Sequence, residues 1–226
     1  MPEASETFAV QDKEVTLYPA DTENAPLIIL NTYTGDGGSV YEAMQEIECP
    51  ECNLAVVGNL KWDHDMTPWY APPLSAEDTP CTGGADDYIA LLTEKILPEV
   101  KSRIAGVPEF TGISGYSLAG LFAVYAMYRT DVFDRAASMS GSLWFPEITA
   151  YCKQHEIKRI PDRMYLSLGD KEAKTRNPVL RKVQENTEDL ADYFRSNGIK
   201  VSYEMNPGNH FREPALRSAK GIKAIL

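Results

Sequence analysis

The sequence predicts an α/β fold with a mostly parallel central sheet and helices on both faces, and three observations carry that prediction. Short apolar runs of strand length recur along the chain, with helix-length segments between them. Two of these runs, PLIIL at 26–30 and LAVV at 54–57, are apolar without alternation, as in strands covered on both faces. The 226-residue chain is 43% apolar and is divided by no linker rich in Gly, Ser or Pro, so a single domain over 1–226 is expected.

Taken in order, strands are expected at 13–18, 26–30, 54–57, 109–114, 132–139, 163–168 and 200–205. The segment 59–83 lacks periodicity and carries Trp62, Trp69 and Tyr70 among prolines and acids; a loop of that length reads as a lid or a binding loop. Tyr88, Leu91, Leu92 and Ile96 predict a helix over 84–103, kinked at Pro98 because proline has no N–H to give the preceding turn. SLAGLFAVYAMY, 117–128, is apolar nearly all round and must be covered on every side. The clearest helix runs from 178 to 197, with Asn177 as cap, Pro178 in the first turn, Leu180, Val183, Leu190 and Phe194 at helical spacing, and Gly198 as the stop. No interval between the later strands is expected to hold a cap domain.

A net charge of −11 argues against a face that neutralises nucleic-acid phosphates or anionic lipid headgroups. No run approaches the roughly 18 apolar residues of a membrane span, and MPEASETFAVQDKE lacks the basic-then-apolar pattern of a leader. Cys49, Cys52, Cys81 and Cys152 are too few and too scattered for a disulfide framework. The expectation is a soluble cytoplasmic protein that engages neither nucleic acid nor membrane.

The chemistry is centred on GISGYSLAG, 112–120. Ser117 follows a strand candidate and opens the buried helix, with Gly115 and Ala119 two positions before and after it. That is the setting of a nucleophile elbow, whose tight turn needs small residues at those two positions and leaves the hydroxyl at the C-terminal edge of the sheet. There the helix N-terminus and the Leu118 N–H face a developing oxyanion. A Gly/Ser turn alone often arises by chance; the order of the other parts strengthens it. The chain holds three histidines. His210, in NPGNHF after the last strand candidate, is placed to reach Ser117 as general base, whereas His155 in KQHEIK sits among charges at a helix end. Between serine and histidine, MYLSLGDKE offers Asp170 and Glu172 just past a strand. Either is a candidate for the orienting acid, and if neither serves, Ser117 and His210 act as a dyad.

The stretch GISGYSLAGLFAVYAMYRTDVFDRAASMSGSLWF resembles the elbow region of the putative-esterase family of α/β-hydrolases, which includes S-formylglutathione hydrolases, feruloyl esterases and siderophore esterases. DMTPWYAPP, GGADDYIALLTEKILPEV, YLSLGDKE and GNHF extend the resemblance from about Leu27 to the end. It implies an α/β-hydrolase fold and hydrolysis of a carboxylic ester through an acyl-enzyme, with Ser117 as nucleophile and His210 as base. The family's acid commonly lies three positions after the glycine closing its strand; that glycine matches Gly169, so the acid matches Glu172. Some siderophore esterases of the family lack a working acid, which is the dyad alternative.

Acyl transfer needs a second oxyanion donor, expected from the loop Asn31–Gly35 after PLIIL, with Tyr33 at its centre. The same loop, TGDGGS, fails the dinucleotide pattern because Val40 occupies the third glycine position. Trp69 and Trp144 are expected as pocket walls, with Tyr116 beside the nucleophile. Asp63, Asp65, Glu77 and Asp78 against Lys61 alone make an electronegative mouth that suits a small neutral or cationic ester better than an anionic siderophore. No cofactor or metal is expected: Asp63, His64 and Asp65 are adjacent and rarely converge on one ion, and Cys49 with Cys52 lacks a second pair. The rival readings are a catalytically silent protein of the same fold and a nucleotide-binding α/β module.

Overall fold

The computed structural model describes residues 5–35 and 37–226, so Asp36 of the TGDGGS loop and the first four residues of the acidic N-terminal stretch lie outside the described residues. In chain order the elements are β1 (Glu6–Val10), β2 (Lys13–Tyr18), β3 (Leu27–Asn31), α1 (Gly38–Glu46), β4 (Asn53–Gly58), α2 (Trp62–Asp65), β5 (Tyr70–Ala71) and β6 (Cys81–Thr82). There follow α3 (Ala85–Leu91), a π turn (Leu92–Ile96), α4 (Leu97–Lys101), β7 (Thr111–Tyr116), α5 (Leu118–Arg129) and β8 (Arg135–Met139). The chain continues through α6 (Ile148–Gln154), β9 (Arg163–Gly169), a 3₁₀ turn (Leu180–Lys182), α7 (Val183–Ser196), β10 (Val201–Asn206) and α8 (Pro214–Ile225). Every strand expected from the sequence forms.

Eight strands make one sheet in the order β1-β2-β4-β3-β7-β8-β9-β10. The pairs from β4 to β10 are parallel, and β2 runs antiparallel to both its neighbours. The unbroken apolar runs of β3 and β4 are buried at every position, as strands between two helical layers must be. One hydrophobic cluster gathers α3, the π turn, α4, α5 and α7 on one face; a second gathers α1 and α8 on the other. Since β3 leads to β4 on one side while β7 lies on its other side, the chain order reverses between β3 and β7. A crevice at the C-terminal strand ends is the usual ligand position at such a reversal.

Residues Leu118 to Tyr128 of α5 are all buried, as its all-round apolarity requires. Pro98 differs from expectation. The helix is not simply kinked there; the π turn before it widens the winding, and Pro98 falls in the first turn of α4, where its missing N–H is tolerated. Asn177 does cap, its Oδ1 accepting from Val179 N and Leu180 N, but the first turn is 3₁₀. The 59–83 crossing is pinned by Asp65, whose Oδ2 accepts from Lys13 Nζ at 2.7 Å with both side chains buried, and from Lys61 N at 2.9 Å. Among the described residues, no helix is long and apolar enough to cross a membrane.

Candidate active site

The turn from β7 into α5 places Ser117 at φ 61°, ψ −123°, a strained conformation for a residue with a side chain, worth about 1–3 kcal/mol. The strain is held by backbone bonds: Ser117 N donates to Met139 O, and Ser117 O accepts from Gly120 N, Leu121 N and Ser142 N. The size limit at the flanking positions is strict, because a Cβ on Gly115 would lie 2.5 Å from the backbone and Cβ of Ala119. With the Gly120 and Leu121 amides taken by Ser117 O, the amides of Leu118 and Ala119 remain as first-turn donors without an intrahelical acceptor.

His210, on the loop between β10 and α8, brings Nε2 to 3.0 Å from Ser117 Oγ, and its Nδ1 lies 2.8 Å from Glu172 Oε2. The other oxygen of Glu172 accepts from Gly169 N at 2.6 Å, Ser140 Oγ at 2.7 Å and Arg217 Nη1 at 3.2 Å. Burial pushes the Glu172 carboxyl up, but the hydrogen bond and charge of His210, with Ser140 Oγ and Gly169 N, outweigh it and hold the group below its ordinary 4.5. Facing a carboxylate, Nδ1 carries the ring proton, which leaves Nε2 free to accept from the serine hydroxyl. Asp170 is not in this chain of contacts. It is exposed, and its Oδ1 accepts from Gly208 N at 2.6 Å, bracing the turn that leads to His210.

Two cavities meet at Ser117. One of about 340 Å³ includes Leu118, Glu172, His210, Ser142, Trp144 and Phe211 in its lining, and one of about 280 Å³ includes Tyr33, Val40, Tyr116 and Ala215. Trp62 lines both. Asp63 and Asp78 line the larger, and among the described residues no lysine or arginine lines either. Trp69 is a correction: it lines neither cavity, because its indole N–H donates to Pro146 O and its ring packs among Tyr125, Phe145 and Tyr151. Trp62, with Tyr33 edge-on at 5.2 Å, stands at the cavities instead. Asp63, His64 and Asp65 diverge to Thr79, Thr82 and Lys13. Asp65 thus faces inward and adds nothing to the acidic mouth. Burial pushes the free thiols of Cys49 and Cys52 up to about 11 and about 12, so neither is a ready thiolate.

Sequence reasoning missed Ser140, Trp62 and Arg217. Arg217 looks like a surface charge in a C-terminal helix, yet only 2% of it is exposed. The available signal was the buried stripe Gly221, Ile222 and Ile225, which continues one turn back onto it.

A family model described as Putative esterase matches residues 35–215. No curated protein matches the chain. Among solved structures, the siderophore hydrolase EstA from Aspergillus nidulans superposes with a TM-score of 0.74 at 18% identity, covering 97% of this chain and 92% of that one. The IroE-like serine hydrolase from Shewanella oneidensis gives 0.78 at 17% identity, over 97% and 78% of the two chains. The BES protein from Bacillus cereus gives 0.73 at 16% identity, over 98% and 95%. At these identities the superpositions speak for the fold.

Proposed function

The chain belongs to the Putative esterase family and has the α/β-hydrolase fold, and from that premise we propose that it is a serine esterase with Ser117 as nucleophile, His210 as general base and Glu172 as orienting acid. The observation that carries this reading is the unbroken contact chain Ser117 Oγ, His210, Glu172 at 3.0 and 2.8 Å. His210 takes the serine proton as Ser117 attacks the ester carbonyl. The tetrahedral oxyanion is held by the Leu118 N–H and by a loop amide at Tyr33; each donor lowers the barrier by about 3–4 kcal/mol. His210 then protonates the departing alcohol, and water repeats the sequence to release the acid. Glu172 keeps the imidazole in the productive tautomer and stabilises the imidazolium.

The lining supports a substrate class. With Asp63 and Asp78 at the larger cavity and no lysine or arginine lining it among the described residues, a small neutral or cationic ester fits best. The siderophore hydrolase EstA supplies a second reading, a siderophore ester, for which a cationic lining would be wanted. We read the chain as a single domain acting in the cytoplasm on a small-molecule ester, without nucleic acid or membrane; its four free cysteines agree with a reducing compartment.

Ser117→Ala tests the reading. Turnover of p-nitrophenyl acetate should fall about a millionfold. Retained turnover would remove Ser117 from the mechanism. Failure of a fluorophosphonate to label the unaltered chain would favour the catalytically silent alternative.

A further inference from the structure

Lys13 and Arg217 are the buried cations among the described residues, and Arg217 has no counterpart in the mechanism above. Its Nη1 lies 3.2 Å from Glu172 Oε1, 3.1 Å from Ser140 Oγ and 3.2 Å from Tyr116 OH, and its Nη2 donates to Pro207 O at 3.0 Å. Tyr116 OH in turn donates to His210 O at 2.6 Å. One guanidinium therefore touches the residue before Ser117, the residue after β8, the acid after β9 and the turn after β10. It holds the His210 loop twice, directly at Pro207 and through Tyr116 at His210 itself. Gly169 gives it room: a Cβ there would lie 2.3 Å from Gly208 O and 3.0 Å from both of the guanidinium's terminal nitrogens.

We propose that Arg217 is a positioning residue for ester hydrolysis, fixing both the rotation of Glu172 and the height of His210 over Ser117. This rests on the roles given to those three residues. The carboxylate of Glu172 has two oxygens to share. Arg217, Ser140 and Gly169 occupy Oε1, so Oε2 is what remains for His210, and turning the carboxylate would break three contacts at once. A planar fork can meet acceptors on several strand ends together; a lysine ammonium is a point charge on a flexible stem and cannot. Holding the base and acid in register matters because a displacement of about 1 Å in a reacting group can cost about a hundredfold in rate.

A purely structural role would also make Arg217 hard to replace, so the test counts competent sites separately from their speed. A fluorophosphonate taken to completion counts reactive Ser117 hydroxyls, and p-nitrophenyl acetate turnover is divided by that count. For Arg217→Gln, per-site kcat should fall about a hundredfold while KM stays within about threefold. Arg217→Lys, which keeps the charge and loses the fork, should fall between the two. A loss confined to the number of labelled sites or to the melting temperature, with per-site kcat within about twofold of the unaltered chain, overturns the proposal. If the glutamine variant does not fold, the lysine variant decides by the same criterion. An unaltered chain that takes no label would overturn the Ser117 reading and this proposal with it.

Discussion

On one side of the larger cavity Glu172, its side chain 4% exposed, receives four hydrogen bonds, from His210, Gly169, Ser140 and Arg217. On the other side the carboxylates of Asp63 and Asp78 are each met by one hydroxyl, of Thr79 and Ser75 respectively, on a crossing whose strands are two residues long. Both regions present acid to the same space. The first fixes a carboxylate in rotation and ionisation, as an orienting group requires. The second offers charge that is solvated and adjustable, suited to selecting what enters. On the proposed reading, the strand tips would set the rate and the crossing the preference.

The sharpest way to break that contrast is to neutralise in turn the two acids that follow Gly169. Glu172→Gln leaves the shape and removes the charge facing His210; kcat should drop by about 10⁴, the scale of amide replacement in other serine triads. Asp170→Asn, which keeps the Oδ1 acceptor for Gly208 N, should stay within a few-fold. Steady-state kinetics on p-nitrophenyl acetate separate them, and equal losses would mean that the acid is misassigned. If Glu172→Gln is as fast as the unaltered chain, the dyad reading replaces the triad.

The crossing is loose at its tip but not at its root, where Lys13 and Asp65 pair in the interior. Lys13→Met strands a buried carboxylate and should lower unfolding stability by about 3–5 kcal/mol, read by urea denaturation. A change under about 1 kcal/mol would show that this pair does not anchor the crossing.

A smaller effect concerns acid pH. Because the folded Glu172 carboxyl lies below its ordinary 4.5, the unfolded chain binds the proton more tightly, and the ionised group stabilises the fold above that value. That contribution is lost as pH falls through the lower, folded value. Stability of the unaltered chain should therefore fall more steeply below about pH 4.5 than that of Glu172→Gln, which has no proton to gain there. Parallel curves in acid denaturation would contradict the shift.

What was legible in the sequence was what depends on near neighbours. The runs PLIIL and LAVV announced doubly covered strands, the apolar circumference of α5 announced its burial, and Gly115, Ser117 and Ala119 announced an elbow whose crowding leaves no room for a Cβ at Gly115. What escaped depends on contacts across the chain. Arg217 meets Tyr116 from 101 positions away; the stripe Gly221, Ile222 and Ile225 points one turn back to it, but RSAKGIK does not say which groups an arginine there would meet. Trp62 and Trp69 are seven apart in one aperiodic segment, so only the fold could send one to the cavities and the other among Tyr125, Phe145 and Tyr151. β1 was missed because its inward face is only two residues, Phe8 and Val10, both partly buried, while Glu6, Thr7 and Ala9 are exposed, too short an alternation to read as a strand.

The smallest predicted effect bears most directly on the substrate. Asp63 is partly buried and Asp78 exposed at the mouth, so on the proposed reading each should attract a cationic ester through water-screened contacts worth about 0.2–1 kcal/mol. Asp63→Asn or Asp78→Asn should therefore raise KM for an ammonium-bearing ester by up to about fivefold, leave kcat alone, and leave KM for a neutral ester of the same size unchanged. Salt supplies an independent check, since raising ionic strength from about 0.01 to 0.15 M shortens the screening length from about 30 to 8 Å. The unaltered chain should lose its preference for the cation over that range, and the double variant should show little preference to lose. If both substrates respond alike to the substitutions, or the preference survives in salt, the crossing selects by shape and its carboxylates are solvated bystanders.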